Sequence, residues 1–78
     1  MIELYQLEEC GYCKRVRAKL TEIGIEYIIR NVSGDKERRD EVEEISGQRL
    51  VPVLVDKERG LVLPDSEKIV EYLEKNYG

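Results

Sequence analysis

Apolar and polar residues alternate from Ile2 through Leu4 toward Leu7, the two-residue period of a half-buried strand. Beyond residue 13 the period changes. Val16, Leu20 and Ile23 recur at helical spacing, and Gly24 follows where a left-handed cap would end a helix begun near Gly11. Residues 25–32, carrying Tyr27, Ile28 and Ile29, read as a second strand. Two strands joined through a helix predict a right-handed parallel βαβ crossover.

The segment 34–46 is mostly charge, broken by Val42 and Ile45, and predicts a surface helix lying on a narrow apolar stripe that ends at Gly47. Lys36 with Asp40 and Arg39 with Glu43 would pair along that helix, while Glu37 and Glu41 would repel. Residues 48–55 follow as a strand with Pro52 near its start, where a missing N–H is tolerated. A glycine-containing turn at 56–60 leads to a return strand at 61–63. The last helix opens at Pro64-Asp65-Ser66, where Asp65 or Ser66 can cap, and its inward stripe is Ile69, Leu73 and Tyr77, joined by Val70 and Tyr72. The element order is βαβ, then α, then ββα.

A chain of 78 residues has room for one domain, 1–78, with a thin core. Lys and Arg number 13 against 17 Asp and Glu, and a net charge of −4 argues against nucleic-acid binding, which normally uses a basic face. No apolar run approaches the roughly 20 residues of a membrane span. Met1 leads straight into the first strand pattern with no export signal ahead of it, so the expected setting is cytoplasmic, with no membrane partner.

That setting gives meaning to the only two cysteines, Cys10 and Cys13, which sit two residues apart at the strand-to-helix junction. In the cytosol a C-x-x-C pair is more often a working dithiol than a permanent staple, and it stores two electrons. At a helix start, free N–H groups and the dipole favour the Cys10 thiolate, helped by Lys14, Arg15, Arg17 and Lys19 and opposed by Glu8 and Glu9. A moderately acidic Cys10 is the expectation. Half of a zinc site or an incidental buried pair are the alternatives. With no histidine and no third cysteine, a self-contained zinc site would need carboxylates. No metal ligand set is therefore assigned and no cofactor is required.

Taken together, these residues resemble a glutaredoxin, within the thioredoxin-like fold. Cys10-Gly11-Tyr12-Cys13 matches the C-P-Y-C motif except at Gly11, Leu50-Val51-Pro52 stands where glutaredoxins have T-V-P, and Ser46-Gly47-Gln48 fits ahead of it. The run from Asp65 to Leu73 is similar to the E-S-x-x-I-x-x-Y-L segment of glutathione transferase N-terminal domains, although, without an all-helical second domain in these 78 residues, a complete glutathione transferase is not the expectation.

The resemblance implies an α/β fold with a four-stranded mixed sheet in the order 2-1-3-4 flanked by three helices. It also implies a thiol–disulfide oxidoreductase acting on protein or low-molecular-weight mixed disulfides. Cys10 would attack and Cys13 would resolve. Pro52 would be cis and face the cysteines, and the backbone of Val51 would pair with a glutathione-like thiol. Tyr12 would shape the opening, or merely cover apolar surface. Asp65 and Ser66 would hold the γ-glutamyl end, or merely cap the helix.

Two departures qualify the likeness. Glu8 stands where glutaredoxins often carry a lysine for the glycyl carboxylate of glutathione, with Arg49 the candidate to compensate. Gly11, replacing a rigid proline, leaves open a second reading, a dimeric carrier of a [2Fe–2S] cluster bound through Cys10 and external thiols. The expected partners are disulfide-containing proteins and, as electron donor, glutathione, a related thiol or a thioredoxin reductase, with the chain acting as a monomer.

Overall fold

The computed structural model describes residues 1–78. Its elements are β1 (Ile2–Gln6), α1 (Gly11–Ile23), β2 (Tyr27–Asn31), a single 3-10 turn (Lys36–Arg38), α2 (Asp40–Ser46), β3 (Val53–Asp56), β4 (Leu61–Pro64) and α3 (Ser66–Tyr77). The sheet runs β2-β1-β3-β4, with β1 parallel to β2 and antiparallel to β3, and β3 antiparallel to β4. The expected strand order and helix count are both present.

Strand alternation divides the core between the two faces of the sheet. Ile2, Leu4 and Leu54 meet Val16 and Leu20 of α1 and Ile69 and Leu73 of α3 on one side. Tyr5 and Val53 meet Val42 of α2 on the other. The first strand is more deeply placed than its alternation suggested, because all five of its residues are buried between these layers. Its polar members are satisfied there. Glu3 binds Arg30 at 3.1 Å and Lys57 at 2.9 Å, and those hydrogen bonds, Arg30 first, hold its carboxyl below the usual range against the opposing effect of burial. Gln6 donates to Asn31 at 2.6 Å and accepts from Arg17.

The helix predicted across 34–46 divides in two. Arg39, only 6% exposed, turns inward and donates to the carbonyls of Ser33 (2.8 Å) and Arg49 (3.1 Å). Its backbone, at φ −108° and ψ 46°, leaves the helical region, so the 3-10 turn stops and α2 begins afresh at Asp40. The Lys36–Asp40 and Arg39–Glu43 pairs do not form. Arg49 takes both acids instead, at 2.7 Å and 3.0 Å. The third strand is also shorter than predicted: residues 48–52 form an approach loop, where the Gln48 side chain bridges Ser46 Oγ and the Leu50 carbonyl.

Helix α1 ends as its sequence implied. Gly24 adopts φ 83°, a left-handed conformation that costs other residues dearly, and its N–H closes onto the carbonyls of Leu20 and Thr21.

Candidate functional site

Cys10 is the residue immediately before the first turn of α1, with extended backbone (φ −73°, ψ 123°), and its carbonyl accepts the Lys14 N–H at 3.0 Å. Its side chain is partly exposed, while Cys13, one turn along the same helix, is fully buried. Both are free thiols. The periodicity that buries Val16 and Leu20 also turns Cys13 inward, so the C-x-x-C spacing places one sulfur at the surface and one beneath it.

The two thiols are driven apart electrostatically. Partial burial pushes the Cys10 thiol up, but the Cys13 N–H, the Cys13 thiol, the Tyr12 N–H and the Arg39 charge together outweigh it and hold it below its ordinary value. Neither N–H makes a cap hydrogen bond of ordinary geometry to that sulfur, so their influence comes from orientation at the helix start. Burial pushes the Cys13 thiol up to about 11, reinforced by the neighbouring Cys10 and only partly opposed by the Leu7 N–H, which lies 3.5 Å from its sulfur.

A groove of about 330 Å³ adjoins the C-x-x-C segment through Tyr12 and is otherwise lined by Gln48, Leu50, Val51, Pro52, Pro64, Asp65 and Ser66, with neither cysteine in its lining. Tyr12, 68% exposed, forms its wall on the cysteine side. The Val51–Pro52 bond is cis, as the resemblance implied. Asp65 precedes α3 with φ 81° and ψ 116°, a conformation rare for a residue with a side chain, and its Oδ1 accepts the Glu67 N–H at 3.0 Å. It therefore caps the helix and lines the groove at once, and the two alternatives for it are not exclusive.

The structure brings Tyr12, Val51, Pro52, Asp65 and Ser66 together in one groove and leaves Arg49 out of it. The Arg49 guanidinium is engaged by Asp40, Glu43 and the carbonyls of Lys36 (3.0 Å) and Glu37 (3.3 Å), so it fastens the 36–43 segment and does not compensate for Glu8. Glu8 lies outside the groove too, and Arg17 approaches it at 3.4 Å. Lys19, expected to support the thiolate, joins Glu22 and Glu74 on the α1–α3 side at 3.0 Å and 2.9 Å. Arg39, from outside the basic run at 14–19, is a cation that favours the Cys10 thiolate. Nothing in its charged run distinguishes that residue from its neighbours; only the local break in the helix turns it inward. Gln48, Leu50 and Pro64 also line the groove, and the sequence signal for each is its adjacency to a predicted site residue.

Comparison with known proteins agrees with this geometry. The glutathione S-transferase N-terminal domain family matches residues 4–78. The uncharacterized glutaredoxin-like 8.6 kDa protein in the rubredoxin operon of Clostridium pasteurianum is 33% identical over 54 residues, 69% of this chain and 72% of that one. Glutaredoxin 3 of Escherichia coli (strain K12) is 33% identical over 51 residues, 65% of this chain and 61% of its own. Among solved structures, Drosophila melanogaster glutathione S-transferase isozyme E7 superimposes with a TM-score of 0.89 at 28% identity, covering 100% of this chain and 35% of its own. Glutaredoxin 2 from Salmonella typhimurium, solved in complex with glutathione, shares the fold at a TM-score of 0.85 and 24% identity, over 95% of this chain and 33% of its own. This chain thus spans about a third of the length of those two solved proteins. It belongs to the glutathione S-transferase N-terminal domain family of the thioredoxin-like fold, with glutaredoxins among its homologues.

Proposed function

We propose that this chain is a dithiol–disulfide oxidoreductase of glutaredoxin type. The observation that carries the reading is the contrast between two sulfurs one helical turn apart: a partly exposed Cys10 with a lowered pKa, and a buried Cys13 held near 11. A thiolate that is both accessible and stabilised is the attacking partner in disulfide exchange.

The Cys10 thiolate attacks one sulfur of a substrate disulfide, forming a mixed disulfide and expelling the other sulfur as a thiolate that takes up a proton. Cys13, deprotonated as it attacks, displaces the remaining substrate thiol from Cys10. Two electrons have passed to the substrate, and the protein is left with a Cys10–Cys13 disulfide. Two equivalents of a low-molecular-weight thiol, or one two-electron reductase, restore the dithiol. No resident cofactor takes part.

The groove suits the thiol co-substrate. Val51 would offer extended backbone to the cysteinyl part of a glutathione-like molecule, as an added strand pairs with a sheet edge. Asp65 and Ser66, at the start of α3, would take its α-amino and α-carboxylate groups, the latter on free N–H groups. The unusual backbone of Asp65 supports this role, because such conformations cost about 1–3 kcal/mol and recur at ligand sites. Tyr12 would close the cysteine end, and Pro52 would face the sulfurs. Disulfide-containing proteins are the proposed partners and the cytoplasm the proposed setting. No helix is long and apolar enough to cross a membrane.

A reduction assay with a glutathionylated peptide, run with glutathione and glutathione reductase or with thioredoxin reductase alone, tests the reading. Turnover dependent on Cys10 with either donor is expected. Absence of turnover with both, in protein that purifies anaerobically with the colour of an iron–sulfur cluster, would favour the carrier instead.

A further inference from the structure

The strand β2 forms one edge of the sheet, pairs with β1 alone, and exposes four of its five residues. Its alternation can be read from one bond. The Val32 N–H donates to the Gln6 carbonyl at 3.0 Å, so the even-numbered residues along this stretch turn their amides toward β1. Tyr27, Ile29 and Asn31 therefore turn theirs outward, where no strand meets them.

Edge strands in soluble proteins are usually blunted by lysine, proline or a bulge. The β2 sequence, Tyr27-Ile28-Ile29-Arg30-Asn31, has neither of those residues, and Ile28 and Ile29 are 38% and 44% exposed. Its one charge, Arg30, is already held by Glu3 through Nε at 3.1 Å. The other edge, β4, ends in Pro64.

We infer that this edge pairs with the β2 edge of a second copy of the chain, antiparallel about a two-fold axis through Ile28. The sequence around that axis is self-complementary. Ile28 faces the partner's Ile28, Tyr27 faces the partner's Ile29, and Glu26 faces the partner's Arg30. Tyr27 and Ile29 are both outward-turned residues, so each facing pair exchanges both of its N–H···O bonds. Both lie on the face shared with α1 and α3, opposite Ile2 and Leu4, where they extend the apolar layer across the junction. Ile28 and Arg30, opposite Glu3 and Tyr5, lie on the α2 face. There the Glu26–Arg30 pairs bracket the central isoleucines and use the guanidinium nitrogens that Glu3 leaves free. Centring the axis on Ile29 instead would set Arg30 against the partner's Ile28 and lose both charge pairs, which fixes the register.

Two edge strands bury a small area, so the association is transient, with half-dimerisation expected on the order of 100 µM. Strand order puts β2 at the opposite edge from β4, whose Pro64 lines the groove, so both grooves stay open in the dimer.

Sedimentation equilibrium under reducing conditions, from about 10 µM to 1 mM, should show the apparent mass climbing toward that of a dimer. Over the same range, amide exchange at Tyr27, Ile29 and Asn31 should slow several-fold while that of β4 does not change. Ile28→Lys sets like charges across the axis, and Ile29→Pro removes an outward N–H. Each should weaken association by tenfold or more while the circular dichroism spectrum stays that of the parent. Should Ile29→Pro fail to fold, Glu26→Arg, outside the strand, replaces it with an expected several-fold loss. A chain that stays monomeric to 1 mM would overturn the inference. So would association that survives Ile28→Lys, or that disappears in Cys10→Ser.

Discussion

At pH 7 an alkylating reagent should label Cys10 and spare Cys13, and the size of the preference can be worked from the structure. A thiol with pKa about 11 is ionised in about one molecule in ten thousand at that pH, whereas Cys10, held below the ordinary 9.0, is ionised in more than about one in a hundred. Ionisation alone therefore favours Cys10 by at least about 100-fold. The more basic thiolate is intrinsically the better nucleophile, and a Brønsted slope of about 0.4–0.5 over two units returns close to tenfold to Cys13.

A net preference of at least about tenfold remains before access is counted, and Cys13 has no exposed surface at all. Iodoacetamide labelling of the reduced protein, quenched at intervals and mapped by peptide mass spectrometry, measures both rates in one sample. The Cys10 rate should pass half of its plateau below pH 9, while the Cys13 rate should keep climbing toward pH 11. Equal rates at pH 7, or a Cys10 profile still rising at pH 10, would refute the electrostatic argument.

Three further outcomes are expected. Asp56, buried at the end of β3, accepts from the hydroxyls of Tyr72 (2.7 Å) and Tyr77 (2.6 Å). Tyr72→Phe should therefore cost about 1.5–3 kcal/mol in urea denaturation, the value of a hydrogen bond to a charged group. Burial pushes the Asp56 carboxyl up, but the hydroxyls of Tyr77 and Tyr72 bring it below its ordinary 3.8, so its contribution is present above that pH and is lost as pH falls through the lower folded value. The gap between wild type and Tyr72→Phe should narrow below about pH 4 and hold constant from pH 5 to 8. Arg49→Ala should lower stability by about 1 kcal/mol, since it unties an exposed pairing, and leave the KM for the thiol within twofold; a tenfold rise in KM with unchanged stability would return Arg49 to the groove. Glu8→Lys should improve glutathione-dependent kcat/KM by no more than about fivefold, because Arg17 already offsets an exposed charge, and the gain should vanish in about 0.5 M salt.

The parts of this molecule legible in its sequence are those that local rules decide. The change of period after Cys13, the glycine at the left-handed cap and the proline ahead of β3 fix α1 and its neighbours, and with them the positions of the two sulfurs. Five of the eight groove residues were legible through motifs, because Tyr12, Val51, Pro52, Asp65 and Ser66 lie at the ends of elements that the sheet brings together.

What local rules missed depended on tertiary bonding. Arg39 and Arg49 look alike in sequence, yet one is drawn under the loop to backbone carbonyls and the other clamps α2 from outside. Glu3 and Gln6 suggested a solvated face for β1, and only the partners Arg30, Lys57, Asn31 and Arg17, all from other elements or turns, make their burial affordable.

Trapping the first covalent intermediate tests the central claim most directly. Cys13→Ser, incubated with glutathione disulfide at pH 7 and examined intact by mass spectrometry, should gain one glutathione, located on Cys10 by peptide mapping and released by dithiothreitol. Cys10→Ser should gain none under the same conditions. An adduct on Cys13 in Cys10→Ser that forms as fast as the one on Cys10, or a Cys13→Ser protein that stays unmodified, would contradict the assignment of Cys10 as the attacking thiolate.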